Sequence, residues 1–172
     1  LAELGHRVSA FDGAAAMVEL ARTACPARAG DYRRLTFGEA SAGPRRMGSA
    51  FGTVVFNFSL LQERITPVLA ATANVLFPYG RILIQAAHPS AAGDAYRDGW
   101  RTFAEAAPGV PLPREVPWYF RTFTTWVREV RTRLGPGERQ FVGFRCSGRV
   151  TQLRLVGPSA RLRPRVAVVL QV

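Results

Sequence analysis

Apolar positions change period several times along the chain, and the changes divide it into elements. Leu1-Ala-Glu-Leu4 reads as a last helical turn closed by Gly5, a residue free to take the left-handed conformation that helix C-termini use. Arg7-Val-Ser-Ala-Phe11 is a short buried strand ending in Asp12, and the alanine-rich stretch from Ala14 to Ala24 is a helix stopped by Cys25-Pro26. A more polar strand is expected from Tyr32 to Gly38, a strongly apolar one at Thr53-Val-Val-Phe-Asn-Phe58 and another at Arg81-Ile-Leu-Ile-Gln85. Between the last two, a helix from about Gln62 to Leu76 tolerates Pro67 only in its first turn, and Phe77-Pro-Tyr-Gly80 turns the chain into the following strand. Strands separated by helices predict a mostly parallel sheet with helices on both faces, an α/β architecture.

The second half is less regular. Residues 89–117 are rich in proline and glycine and form a long connection, the kind that serves as a lid or binding loop. Pro117-Trp-Tyr-Phe-Arg121 leads into an amphipathic helix with Phe123, Trp126, Val127 and Val130 on one face, ending before Gly135-Pro136. Gln140–Phe144 and Arg165–Val172 read as the two strands of a terminal antiparallel hairpin, while Cys146 to Pro164 has no clean period. At 172 residues the whole is one domain: a core over residues 1–88, a lid or acceptor loop over 89–117, and a C-terminal helix with a hairpin and arginine-rich tail over 118–172.

Charge narrows the chemistry. All 23 basic positions are arginine, so a Walker A phosphate loop, a Schiff-base lysine and a Tyr/Lys dehydrogenase pair are excluded. The net charge of +11 is concentrated in residues 121–172. Such a tail could engage phosphate backbones through counterion release, but only Phe141 and Phe144 follow Trp126 as aromatics, and no nucleic-acid motif is present. Cys25 and Cys146, with His6 and His88, make neither a zinc spacing nor a disulfide framework, and suggest a reduced, cytoplasmic setting with no metal. No apolar run reaches the roughly 18 residues needed to span a bilayer.

In an open α/β sheet, ligands bind outside the carboxyl ends of the strands, which singles out Asp12, Glu39, Asn57 and His88. A carboxylate at Asp12 can accept hydrogen bonds from both hydroxyls of a ribose, and Gly13 lets the backbone approach closely, although an Asp before a helix is also an N-cap signature. His88 has the side chain of a general base, and a structural role before Pro89 is its alternative.

The segment "LAELGHRVSAFDGAAAMVELAR" resembles the stretch that follows the glycine-rich motif of class I S-adenosylmethionine-dependent methyltransferases. "FGTVVFNFSLL" resembles that family's fourth-strand motif with Gly52 in place of its acid, and "VLFPYGRILIQAAHP" its helix–turn–strand with Tyr79 replacing a glycine. "PWYFRTFTTWVREV" is similar to a segment of the small-molecule, quinone-biosynthesis type. The resemblance covers about residues 1–130 and implies a Rossmann-like fold and an S-adenosyl-L-methionine cofactor. It implies that Asp12, Gly13 and Met17 hold the ribose side, Glu39 and Ala40 the adenine, and Asn57 with Phe58 the rim beneath. It further implies a small-molecule acceptor; Trp118, Tyr119 and Arg121 are the candidates to touch it, with core or lid packing as the alternative for Trp118, Tyr119 and Phe120, and His88 is the candidate base. The Asn-Pro-Pro-aromatic run of enzymes methylating exocyclic amines is not present, since Phe58-Ser59 follows Asn57.

The family's first strand and glycine-rich loop are expected to precede Leu1, so the resemblance implies an N-terminally truncated chain. In the family's strand order, 3-2-1-4-5-7-6, that strand is central. Its two neighbours would pair directly, or another segment would fill the gap, or two rows of buried backbone groups would stay unsatisfied at about 1–3 kcal/mol each. Two other classes bear on the same residues. A nicotinamide-dependent oxidoreductase also places an acid at Asp12 but leaves Glu39 and Trp118–Trp126 without a role. A basic nucleic-acid or partner-binding module on a non-catalytic Rossmann-like fold would rest on the tail.

Overall fold

The structure, a computed structural model, describes residues 5–26, 31–89, 96–102, 117–131, 141–147, 150–156 and 165–170, the last three stretches as backbone. In chain order these form β1 (Val8–Asp12), α1 (Ala15–Ala24), β2 (Asp31–Arg34), α2 (Phe37–Ala42), a 3-10 turn (Pro44–Met47), β3 (Phe51–Asn57), α3 (Thr66–Ala73) and β4 (Leu76–Ala87). They continue with β5 (Gly99–Thr102), β6 (Pro117–Phe120), α4 (Phe123–Arg131), β7 (Phe141–Ser147), β8 (Val150–Val156) and β9 (Arg165–Leu170). Gly5, expected to close a helix, has a φ of 81°; residues 1–4 lie outside the described residues.

Seven strands make one sheet in the order β2-β1-β9-β3-β4-β8-β7, and β5 and β6 form a separate antiparallel ribbon. β2, β1, β9, β3 and β4 are parallel, and β8 and β7 extend the β4 side antiparallel. The expected hairpin is present with different partners: β7 pairs with β8, drawn from the stretch without a clean period, and β9 leaves the hairpin for the sheet centre. The gap between β1 and β3 is therefore filled by the chain's own C-terminal strand. β9 pairs Val166 with Val8 on one side and Val168 with Val55 on the other, so the facing backbone groups of β1 and β3 have partners.

The central strands build the core: β1 is buried along its whole length, and β3 from Phe51 to Val54 and again at Phe56. Phe11, Val54, Phe56, Ile82 and Ile84 belong to one buried cluster with Ile65, Val68 and Leu69 around α3 and with Trp126 and Val130 of α4. Val54 and Phe56 lie opposite Ile82 and Ile84 in the β3–β4 register, so each pair presents its side chains to the same face. Burial of a side chain such as Phe56 contributes about 1.5–3 kcal/mol, and Phe56 is fully buried. α1 packs beside β1 and β2 with only Val18 buried.

Three boundaries differ from the sequence reading. Pro67 lies in the first turn of its helix as expected, but α3 is shorter than Gln62–Leu76. The strand read to Gly38 stops at Arg34, because Thr36 caps α2: the Thr36 hydroxyl accepts from the Glu39 N–H, and the Glu39 carboxylate accepts from the Thr36 N–H. Phe77–Gly80, read as a turn, belongs to β4, yet the register jumps from Leu76 to Arg81 while β3 advances from Phe51 to Thr53. The four residues bulge out of the pairing, so the chain does bend there without leaving the strand. Of the 89–117 connection, residues 90–95 and 103–116 lie outside the described residues, as does the expected end of the amphipathic helix at 132–136.

Candidate functional site

Because β1, β9, β3 and β4 run parallel, their C-terminal ends share one edge of the sheet, where Asp12, Asn57 and the Ala86–His88 segment emerge. Asp12 and Asn57 are separated there by one intervening strand, about 10 Å across at ordinary strand spacing.

Asp12 is 4% exposed. Its Oδ1 accepts the Ala14 N–H at 2.7 Å, which fixes the turn into α1. Its Oδ2 is buried with no hydrogen-bond partner among the described residues. Burial raises the Asp12 carboxyl above the ordinary carboxylate value, and the Ala14 hydrogen bond opposes this only in part. A buried carboxylate oxygen without a donor, at the end of a parallel strand, fits a ligand that brings hydroxyl donors.

The start of α2 borders the same turn. The Leu35 N–H donates to the Asp12 carbonyl at 2.9 Å, Arg34 Nε donates to the Gly13 carbonyl at 3.2 Å, and a Cβ on Gly13 would stand 3.6 Å from Thr36 Cγ2. Glu39 is therefore close in fold to Asp12, but it is exposed and employed as a cap. Its Oε2 accepts from both the backbone and the hydroxyl of Thr36, and its Oε1 lies 3.6 Å from Arg46. Those Thr36 hydrogen bonds hold its carboxyl below the ordinary value. The Ala40 N–H is spent on the Thr36 carbonyl, and Met17 is half-buried on α1.

Beyond the ends of β3 and β4 lies an open cleft with a cavity volume of about 60 Å³. Phe58, Leu60 and Leu61 wall it on the β3 side, and Ala86 and Ala87, small enough to leave room, floor it from β4. Phe58 has a φ of 50°, a left-handed conformation that a bulky side chain adopts at a cost, and its N–H is tied to the Gln85 carbonyl at 2.9 Å. Trp118, Tyr119 and Phe120 of β6 form a further wall, followed by Arg121 and by Trp126 from α4. This wall is held by backbone and ring contacts. The Tyr119 N–H donates to the Leu61 carbonyl at 2.8 Å, Trp118 Nε1 to the Thr102 carbonyl at 3.3 Å, and Trp118 meets Phe120 edge-on at 5.8 Å.

Arg121 is 2% exposed. Its Nη1 donates to the carbonyls of Leu60 and Tyr119 at 3.2 and 3.3 Å, and its Nη2 to that of Glu63 at 3.0 Å and to that of Gln62. The guanidinium lies 5.2 and 5.1 Å from the ring centres of Tyr119 and Trp126. Burial pushes it down to about 10, so at neutral pH it stays a cation.

The structure thus gathers Phe58, Trp118, Tyr119 and Arg121 around one cleft and brings Asp12 and Asn57 to the adjoining sheet edge. His88, half-buried, follows the cleft floor directly, and Glu39 stands outside the cleft beside the Asp12 turn. Sequence reasoning missed Leu60, Leu61, Ala86, Ala87, Phe120 and Trp126 as lining residues. It also missed Asp98, which accepts the Thr122 N–H and the Thr125 hydroxyl at 2.6 Å each and so docks the start of α4. Burial acts to raise the Asp98 carboxyl, but these hydrogen bonds outweigh it and hold the group below the ordinary value.

Among the described residues no helix is long and apolar enough to cross a membrane, and no group of three or more His, Cys, Asp or Glu could hold a metal ion. No family model matches the chain, and no curated protein matches it by sequence. Solved structures do. The chain is similar to an S-adenosylmethionine-dependent methyltransferase from Mesorhizobium loti, at 14% identity over 88% of this chain and 91% of that one, with a TM-score of 0.59. It is similar to the glycopeptide N-methyltransferase MtfA in complex with S-adenosyl-L-homocysteine, at 17% identity over 91% and 76%, with a TM-score of 0.62. The CcbJ methyltransferase from Streptomyces caelestis gives 15% identity over 92% and 77%, with a TM-score of 0.61. The chain has the Rossmann-like α/β fold of S-adenosylmethionine-dependent methyltransferases.

Proposed function

We propose that this chain is a methyltransferase that binds S-adenosyl-L-methionine at the ends of β1 and β3 and passes its methyl group to a small-molecule acceptor in the adjoining cleft. The observation that carries the reading is the buried, unpartnered Oδ2 of Asp12 at a strand end. Ribose hydroxyls would supply the donor this oxygen lacks and, with the Ala14 N–H, would offset the burial that opposes ionisation of Asp12. Asn57 and Phe58 would form the rim between cofactor and cleft. Glu39 fits the adenine less directly: its Oε2 is occupied by Thr36 and its Oε1 has Arg46 at 3.6 Å, so an amino group would share that oxygen with the guanidinium.

When bound, the cofactor supplies a sulfonium methyl carbon open to in-line displacement. The protein's part is then alignment and exclusion of water, with a base wherever the acceptor must lose a proton. The apolar cleft beside the strand ends provides the water-poor surface, and His88 after the cleft floor is the base we assign. The fold's likeness to methyltransferases solved with S-adenosyl-L-homocysteine and with S-adenosyl-L-methionine supports the same cofactor here.

Calorimetric titration with S-adenosylhomocysteine tests the reading without an acceptor. Saturable binding is expected, weakened at least about tenfold in Asp12→Asn, a loss of about 1.4 kcal/mol. Failure of the folded wild-type chain to bind, or equal binding by the variant, would overturn it.

A further inference from the structure

Resting on the methyltransferase reading, we propose that Asp98 is a positioning residue for methyl transfer: it latches β5 to the first turn of α4, and so sets where Tyr119 and Phe120 stand over the cleft and whether an acceptor can enter. The cleft's volume of about 60 Å³ is a fraction of the roughly 300–1,000 Å³ that small-molecule sites enclose, so an acceptor is admitted only when a wall moves.

The walls differ in how they are held. Ala86 and Ala87 belong to β4, and Phe58 is tied to that strand through the Gln85 carbonyl. β6 is anchored by the Tyr119 N–H on the Leu61 carbonyl and by the Arg121 guanidinium, buried among four carbonyls. β5 stands apart: it pairs with β6 in a ribbon separate from the main sheet. Its side chains brace the rings of the cleft wall, for Trp100 meets Tyr119 edge-on at 5.6 Å and the Arg101 guanidinium lies 4.2 Å from the ring centre of Phe120. Where β5 stands therefore decides where those rings stand.

The segment leading into β5 is fastened to α4. Asp98 Oδ1 accepts the Thr122 N–H and Oδ2 the Thr125 hydroxyl, at 2.6 Å each, and the Phe123 N–H donates to the Tyr96 hydroxyl at 2.9 Å. α4 has a cap of its own, since Thr122 Oγ1 accepts the Thr125 N–H at 3.4 Å, so the Asp98 bonds serve to tie a distant segment of chain to the helix. Asp98 is exposed where Arg121 is buried, and water competes for its bonds. The latch at Asp98 is thus the fastening that releases, while Arg121 keeps β6 in place.

The chain's three tryptophans, Trp100, Trp118 and Trp126, all belong to this unit, and in a Trp100→Phe background the two that remain line the cleft. Quenching of their fluorescence by acrylamide, a small neutral solute, then reads access to the cleft in the full chain. Asp98→Ala in that background is expected to raise the quenching constant at least about twofold through local opening. Asp98→Asn should restore it, because an amide accepts the Thr122 N–H and donates to the Thr125 hydroxyl. Thr122→Ala separates the latch from helix capping: it removes the cap and keeps the N–H that Asp98 holds, so the melting temperature should fall and the quenching stay the same. If Asp98→Ala does not fold, Thr125→Val, which deletes one latch bond at similar shape, carries the same expectation. Unchanged quenching in Asp98→Ala, or an equal rise in Asp98→Asn or Thr122→Ala, would overturn the latch, and binding of S-adenosylhomocysteine by the same chain would leave the methyltransferase reading intact. A rise confined to Asp98→Ala in a folded chain that does not bind S-adenosylhomocysteine would overturn the methyltransferase reading and, with it, the part of Asp98 in methyl transfer.

Discussion

Asp12 and Arg121 are both buried and ionisable, and their surroundings treat them in opposite ways. Arg121 has a carbonyl for each of four donations, so its charge is compensated in place. Asp12 has one donor for two oxygens, and burial raises its carboxyl. The folded state therefore favours protonated Asp12. As pH rises from the ordinary carboxylate value through the raised folded value, stability is lost, and the full cost is present at neutral pH. Asp12→Asn should accordingly melt at a higher temperature than wild type at about pH 7, the difference closing as pH falls below the ordinary carboxylate range. Thermal melts at the two pH values check this, and a variant less stable at neutral pH would contradict it. Arg121→Met should have the opposite effect, a loss of about 3–5 kcal/mol in denaturant titrations, because the carbonyls of the 60–63 loop lose their donor. Asp12 was legible in the sequence because an acid following an apolar strand is a local signal. The structural work of Arg121 was not, since its partners lie about 60 residues earlier in the chain.

Elements were legible where one period dominated and were misread where two rules competed. Phe37 and Gly38 extend the apolar look of the preceding strand, yet Thr36 and Glu39 carry the three-residue spacing of a capping box, and the cap prevailed. Glu39 was thereby moved from a strand end to a helix start. At Phe77–Gly80 the proline and glycine signal a turn, whereas the neighbouring edge of β3 keeps the chain in the sheet as a bulge. Gly80 is what lets that bulge close. A Cβ there would stand 2.8 Å from Leu76 Cδ2, 2.9 Å from Leu76 Cβ and 3.0 Å from the Phe77 carbonyl oxygen. Only the first of these can swing away, so Gly80→Ala must shift backbone, at about 1–3 kcal/mol. A loss of that size in chemical denaturation, with the cofactor-side residues untouched, is the expected outcome; an unchanged midpoint would mean that the bulge is looser than its contacts indicate.

At the scale of the molecule, the order of strands was the least legible property, because it is set by pairings such as Val8 with Val166 that no local pattern encodes. A clue was nevertheless present. Val166-Ala-Val-Val-Leu170 is continuously apolar, without the alternation of a hairpin strand that has one solvated face. Such a run belongs between parallel neighbours, and β9 has them on both sides. With its hydrogen bonds directed to β1 and β3, β9 can be released only by separating the two halves of the sheet. Its amides should therefore exchange with solvent only through global unfolding, alongside those of β3, despite their position near the end of the chain. Hydrogen exchange read by NMR checks this directly: protection of residues 166–169 matching that of Val54–Phe56 is expected, and exchange as fast as a frayed terminus would remove β9 from the centre. Val168→Pro extends the test, because a proline between two partner strands deletes a ladder donor and should cost about 3 kcal/mol or more. If the chain tolerates that substitution with its melting temperature unchanged, β1 and β3 draw their stability from some other pairing, and the sheet edge that presents Asp12 and Asn57 on either side of β9 is built differently.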